Sequence, residues 1–166
     1  MEAIRSAAEL YAHAIAVERE AAERYAEFAQ RMNDMGEEAV AAVFTRLAGL
    51  EAGHLTALER RTAGIALPCL ETHEYRWLDA GAPETAAHEL VYRLMTPHNA
   101  LAIALGAEKR AQAFFEHVLA RAEDPALRAL AREMAADERE HVGMIEELLA
   151  RTPQAHVDWA SAYQMS

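Results

Sequence analysis

The chain has 166 residues, a formal net charge of −11, one cysteine, 7 glycines and 5 prolines. That length supports a single domain with a substantial core, here taken as residues 1–166, and an Ala-, Leu-, Glu- and Arg-rich composition poor in Gly and Pro predicts an all-α fold. The acidic balance excludes non-specific nucleic-acid binding, which needs a basic footprint, and the lack of an apolar run of ~20 residues predicts no membrane partner.

The opening Met1-Glu2-Ala3-Ile4-Arg5-Ser6 has no basic stretch leading into a long apolar run, so a soluble, cytoplasmic protein is expected. Ile4, Ala8, Tyr11, Ile15, Glu18, Ala22, Tyr25, Ala29 and Met32 alternate at four and three residues and predict a first helix over 2–32. Every member of that seam is apolar or aromatic except Glu18. Asn33-Asp34-Met35-Gly36 is a turn short enough to send a second helix, 36–63, back antiparallel, with Gly64 and Pro68 ending it. Its seam runs Val40, Phe44, Leu47, Glu51, His54, Leu58. Residues 64–97 hold no long period; Pro83 opens a short amphipathic helix, 84–95, and Cys69 reads as a small buried thiol. With one cysteine there is neither an internal disulfide framework nor a four-cysteine metal site. The connection is long enough to travel the length of a bundle, so the third helix is expected to run parallel to the second. Thr96-Pro97 and Asp124-Pro125, each a cap followed by Pro at the first helical position, start helices over 97–122 and 124–150. Their seams are His98, Leu101, Leu105, Glu108, Gln112, Phe115, Leu119 and Leu127, Ala131, Met134, Glu138, His141, Ile145, Leu148. In the tail, 151–166, Trp159 and Tyr163 are expected to cover the bundle surface.

The two halves match. A shift of 90 aligns Ile15 with Leu105, Glu18 with Glu108, Ala21 with Ala111 and Tyr25 with Phe115; a shift of 87 aligns Leu47 with Met134, Glu51 with Glu138 and His54 with His141. Each of the four Glu residues falls within about two residues of its helix midpoint, ~3 Å of rise, so all four should meet at one level. A single Glu-x-x-His is a weak signal, and Glu18 or Glu108 alone would be an ordinary surface residue. Jointly they place four carboxylates and two imidazoles in a buried seam, where charge must be compensated, and two divalent cations would neutralise the four carboxylates. Glu18, Glu51, His54, Glu108, Glu138 and His141 are therefore the candidate metal ligands. Oxygen and imidazole donors suit two iron ions, and manganese or zinc fits the same set. Asp137 is placed to accept the free ring N–H of His54, whereas its counterpart Leu50 cannot serve His141. Tyr25 is expected to be a core aromatic whose hydroxyl hydrogen-bonds inward. His13, Glu20, Glu23 and His117 point away from the seams and read as solvated, and His98 lies ~15 Å along the axis from Glu108, too far to ligate with it.

On these residues the chain resembles the ferritin-like di-iron superfamily, in which two helices give one Glu each and two give Glu-x-x-His. The runs Ala14 to Tyr25 and Ala104 to Phe115, with Ala at −4 and +3 of the Glu and an aromatic at +7, are similar to rubrerythrin-type helices. The resemblance implies a ferritin-like four-helix bundle with a long crossover between helices two and three, a di-iron centre, and a rubrerythrin-like oxidoreductase that reduces peroxide or oxygen and oxidises ferrous iron. In that scheme Glu51 and Glu138 bridge the metals, His54 and His141 ligate one each, and Glu18 and Glu108 are terminal. Two departures stand out. Rubrerythrins usually carry a second ligand Glu three residues after the one matching Glu108, where this chain has Ala111, and they carry a four-cysteine rubredoxin domain that one cysteine cannot form. Electrons then come from an external donor. The symmetric six-ligand set is like that of bacterioferritin, although its haem-binding Met corresponds to Ala52, so haem is not implied. A ferroxidase or iron-storage protein is the alternative, followed by a di-iron hydroxylase and by a metal-free helical adaptor. A homodimer is expected from the resemblance.

Overall fold

The computed structural model describes residues 3–70 and 95–154, which form four helices in the order α1 (Ala7–Asp34), α2 (Glu38–Arg61), α3 (Pro97–Arg121) and α4 (Pro125–Arg151). The boundaries follow from where unpaired backbone groups find partners. The Ser6 hydroxyl accepts from the Glu9 N–H at 3.2 Å and the Glu9 carboxylate accepts from the Arg5 N–H at 2.9 Å, so α1 starts at Ala7 and not at Glu2. At its other end Gly36 turns left-handed (φ 76°), the Glu37 N–H bonds to Met32 O at 2.8 Å and the Gly36 N–H to Asn33 O at 3.0 Å. This pair of bonds carries α1 to Asp34, two residues past the expected end, and delays α2 to Glu38. Thr96 and Asp124 cap α3 and α4 as expected, accepting from Asn99 N at 3.1 Å and Leu127 N at 2.8 Å. The expected short helix lies outside the described residues apart from Met95, and so do Trp159 and Tyr163. Cys69 corrects an expectation: it is exposed, because the chain beyond α2 leaves regular helix and meets the core through Leu67, two residues before it.

Two apolar clusters fill the bundle, one at each end. One holds Tyr25, Phe28, Met32, Val40, Phe44, Leu47, Leu101 and Ile145; the other holds Leu10, Ile15, Leu58, Phe115, Val118, Leu127, Leu130 and Met134. Following each helix through them gives its direction: α1 and α4 pass from the second cluster to the first, α2 and α3 from the first to the second. Helices α2 and α3 therefore run parallel, as the long connection predicted. The buried stripes are wider than single seams, because a bundle helix touches neighbours on two sides. Ala14, Ala21 and Phe28 are buried on α1 while Ala8, Tyr11 and Ala22 are half-buried, and on α3 Ala104, Ala111 and Val118 are buried while Leu105, Gln112 and Leu119 are half-buried. Exposed ion pairs, Arg19 to Glu59 at 3.0 Å and Arg61 to Glu133 at 2.7 Å, tie α1 to α2 and α2 to α4. No helix among the described residues is long and apolar enough to cross a membrane.

Losing the Asp124 cap (Asp124→Ala) should destabilise the chain by about 1 kcal/mol, and emptying the ring site between Phe28 and Tyr25 (Phe44→Ala) by ~3–5 kcal/mol. Urea denaturation should show both as shifted midpoints at an unchanged slope.

Candidate metal centre

Each helix crosses from one apolar cluster to the other at its glutamate: Glu18 between Ile15 and Ala21, Glu51 between Leu47 and Leu58, Glu108 between Ala107 and Ala111, Glu138 between Ala135 and Ile145. Glu18, Glu51 and Glu108 are 1% exposed and Glu138 2%. All six residues chosen from the sequence meet there. His141 Nδ1 lies 2.8 Å from Glu51 Oε1, 3.5 Å from Glu108 Oε2 and 3.6 Å from Glu138 Oε2. His54 Nδ1 lies 3.7 Å from Glu18 Oε2 and 3.8 Å from Glu51 Oε2, and the two imidazoles stack with centroids 5.5 Å apart at 12°. One ligand atom from each of Glu51, Glu108, Glu138 and His141 falls within 4.8 Å of the others, and the same holds for Glu51, His54 and His141. Glu18 joins the cluster through its contacts with His54 and Glu51.

These atoms are close but unsatisfied. Both carboxylate oxygens of Glu18 and of Glu51, Oε2 of Glu108, and Nδ1 of His54 and His141 are buried with no hydrogen-bond partner, since even the 2.8 Å contact between His141 and Glu51 lacks hydrogen-bond geometry. Burying such groups unpaired is strongly unfavourable, whereas convergent oxygen and imidazole donors are what a divalent iron, manganese or zinc ion takes up. The residues present fit a metal centre.

With protein groups alone, protons have to do the compensating. Burial, then the neighbouring Glu18, pushes the Glu51 carboxyl well above its ordinary value, and burial with Glu108 does the same to Glu138. Burial would raise Glu108 too, but its contacts with Glu138, His141 and Tyr25 outweigh it and hold its carboxyl below the ordinary value. Burial disfavours the charged His141 ring, yet the surrounding Glu108, Glu138 and Glu51 raise it strongly, and Glu18 raises His54. The cluster thus sorts into carboxyls that keep a proton, carboxylates that do not, and imidazoles that gain one.

Around the six, Tyr25 is fully buried and donates its hydroxyl to Glu108 Oε1, as expected of an inward-pointing core phenol. Burial and the charges of Glu108 and Glu51 push its phenol well above 10.0, which keeps it a donor. Asp137 is within electrostatic reach of His54, but no hydrogen bond joins them, so the orienting contact expected from the sequence is not formed. His13 is half-buried with its ring 5.4 Å from Phe114, and the Glu20 side chain is only 17% exposed beside Arg24, so neither is solvated as expected; Glu23 and His117 are exposed. His98 is half-buried at the start of α3, away from the cluster, as its spacing predicted. Residue spacing carried no signal for the unequal exposure of the histidines: the His54 side chain is 30% exposed and that of His141 3%.

A family model described as rubrerythrin matches residues 9–74. The crystal structure of a protein described as an uncharacterized conserved protein from Magnetospirillum magnetotacticum is similar to this chain at 33% identity and a TM-score of 0.82, over 92% of this chain and 99% of that one. The chain belongs to the rubrerythrin family. The comparison with curated proteins gives no match. In this rubrerythrin-family protein the family model covers Glu18, Glu51 and His54, and the solved structure extends the likeness to most of the chain. Fold and cluster agree with the ferritin-like expectation.

The metal-free protein should lose stability as pH rises. Carboxyls raised above 4.5 favour the folded state while protonated, so the contribution of Glu51 and Glu138 falls away from about pH 4.5 upward; raised His54 and His141 add stability that is complete below 6.5 and is lost through their raised values. Lowered Glu108 acts oppositely: its contribution is present above 4.5 and lost only as pH falls. Differential scanning calorimetry of the metal-free chain should show a melting temperature declining through neutral pH, and Glu51→Gln, which cannot ionise, should flatten that decline.

Proposed function

We propose that this chain is a di-iron-carboxylate oxidoreductase of rubrerythrin type that reduces peroxide or oxygen and oxidises ferrous iron, with Glu18, Glu51, His54, Glu108, Glu138 and His141 holding two iron ions. The observation that carries the reading is the convergence at the waist of six buried or half-buried acid and imidazole side chains, five of which, Glu18, Glu51, His54, Glu108 and His141, keep buried donor atoms with no hydrogen-bond partner. Bound iron would supply the redox equivalents, passing electrons to the oxidant and regaining them from ferrous iron or a donor protein.

The chain's own groups hold and shield that chemistry. Glu51 touches both imidazoles and belongs to both ligand groups, which supports its role as the carboxylate shared between two cations. Glu138 occupies the matching place in the second hairpin. Tyr25 fixes one oxygen of Glu108 and leaves the other, Oε2, toward His141. The apolar clusters on either side exclude bulk water, which strengthens each electrostatic contact within the layer. In this reading the whole chain is one domain, acts with an external electron donor because its residues include a single cysteine, and pairs as a homodimer. The matched halves and Ala111, in place of a further ligand Glu, favour ferroxidase or storage chemistry as a second reading.

Anaerobic titration with ferrous iron and elemental analysis should find about two irons per chain. Rapid mixing should then show faster oxidation by peroxide than by oxygen. Glu51→Ala should lose most of the bound iron. Faster reaction with oxygen and hundreds of irons per assembly would move the assignment to storage, and no bound iron would end it.

A further inference from the structure

We propose that the two cation positions are unequal, and that divalent ions load and leave through a mouth at His54 where Asp137 receives them. This rests on the metal reading above. The repeat supplies both positions with the same ligand types, yet their surroundings differ. His141 is 3% exposed and has three carboxylates within 3.6 Å, one of them held by the Tyr25 hydroxyl. His54 is 30% exposed and has two, at 3.7 and 3.8 Å. Behind it Glu18, 1% exposed, keeps both oxygens unpartnered, so a buried anionic donor faces the half-open ring. On the helix surface beside the ring, Ala52 and Gly53 are exposed, and a Cβ on Gly53 would meet no atom within 4 Å.

The second hairpin breaks the match at this mouth. Half-buried Asp137 on α4 is within electrostatic reach of His54 and Glu18, whereas the equivalent place on α2 is Leu50. The neighbouring acid, Glu133, is taken: Arg61 binds it through two bonds of 2.9 and 2.7 Å. Asp137 makes no hydrogen bond or ion pair among the described residues. An arriving cation can exchange water for its carboxylate before Glu18 and His54 complete the transfer inward, and a negatively lined opening raises capture rates. The His141 position has no such opening, so its ion exchanges only when the bundle loosens.

The full chain, loaded with two equivalents of Zn2+ and mixed with excess chromophoric chelator in stopped flow, should release zinc in two phases of equal amplitude, with rates at least ~10-fold apart. His54→Ala should abolish the fast phase and keep the slow one. Asp137→Asn, nearly isosteric and expected to fold normally, should slow Zn2+ uptake by roughly tenfold at low ionic strength, with the deficit shrinking as salt is added and the slow release phase unchanged. One release phase for both ions, or uptake by Asp137→Asn that matches the parent at low salt, overturns the inference while leaving the metal centre intact. Failure of the parent chain to bind zinc overturns both.

Discussion

Charge compensation among carboxylates shut away from water is the constraint on which this bundle depends. Above and below the layer, aromatic and aliphatic side chains close over four glutamates that are all at most 2% exposed. In such surroundings four unpaired carboxylates would repel one another with little screening, so either protons or cations must accompany them. Protons do so imperfectly. They leave Glu18 and Glu51 with buried oxygens that no donor meets, whereas cations could satisfy those atoms and both imidazoles at once. The stability of the middle of the protein is therefore linked to what occupies it.

The topology explains why the six side chains meet at the waist and nowhere else. With α2 and α3 parallel, the two hairpins run in opposite senses, so the two-fold axis that relates them lies across the bundle. Such an axis carries a residue near one end of a hairpin to the far end of the other. Only residues at the level of the axis are brought beside their equivalents, and that is where each helix crosses between the apolar clusters. His54 and His141, one turn after their glutamates on helices of opposite direction, step off this level toward opposite ends.

Most of this was legible because it depends on spacing. Seam periodicity gave four helices, cap-and-Pro pairs gave the starts of α3 and α4 to within a residue, and internal matching picked out the six side chains that the fold brings together. The start of α1 was missed although Ser6-Ala7-Ala8-Glu9 has the spacing of a capping box, because the apolar pattern continues upstream to Ile4, which packs on the core without being helical. Exposure was not legible. Whether Cys69 or His54 is covered depends on what neighbouring chain lies over it, and periodicity within one helix carries no information about that.

The near-symmetry also divides the carboxylates into unlike kinds. Tyr25 anchors Glu108 with a hydroxyl that burial keeps protonated; the matching residue in the second hairpin is Phe115, which has no hydroxyl to offer Glu18. Glu18 accordingly keeps both oxygens free, beside the more exposed of the two imidazoles. A carboxylate with no hydrogen bond to give up can swing between partners at little cost, whereas one fixed by a phenol must break that bond first. Holding one half of the cluster rigid while leaving the other half adjustable would let it both retain cations and exchange them, from a sequence repeat that looks symmetrical until its neighbours are read.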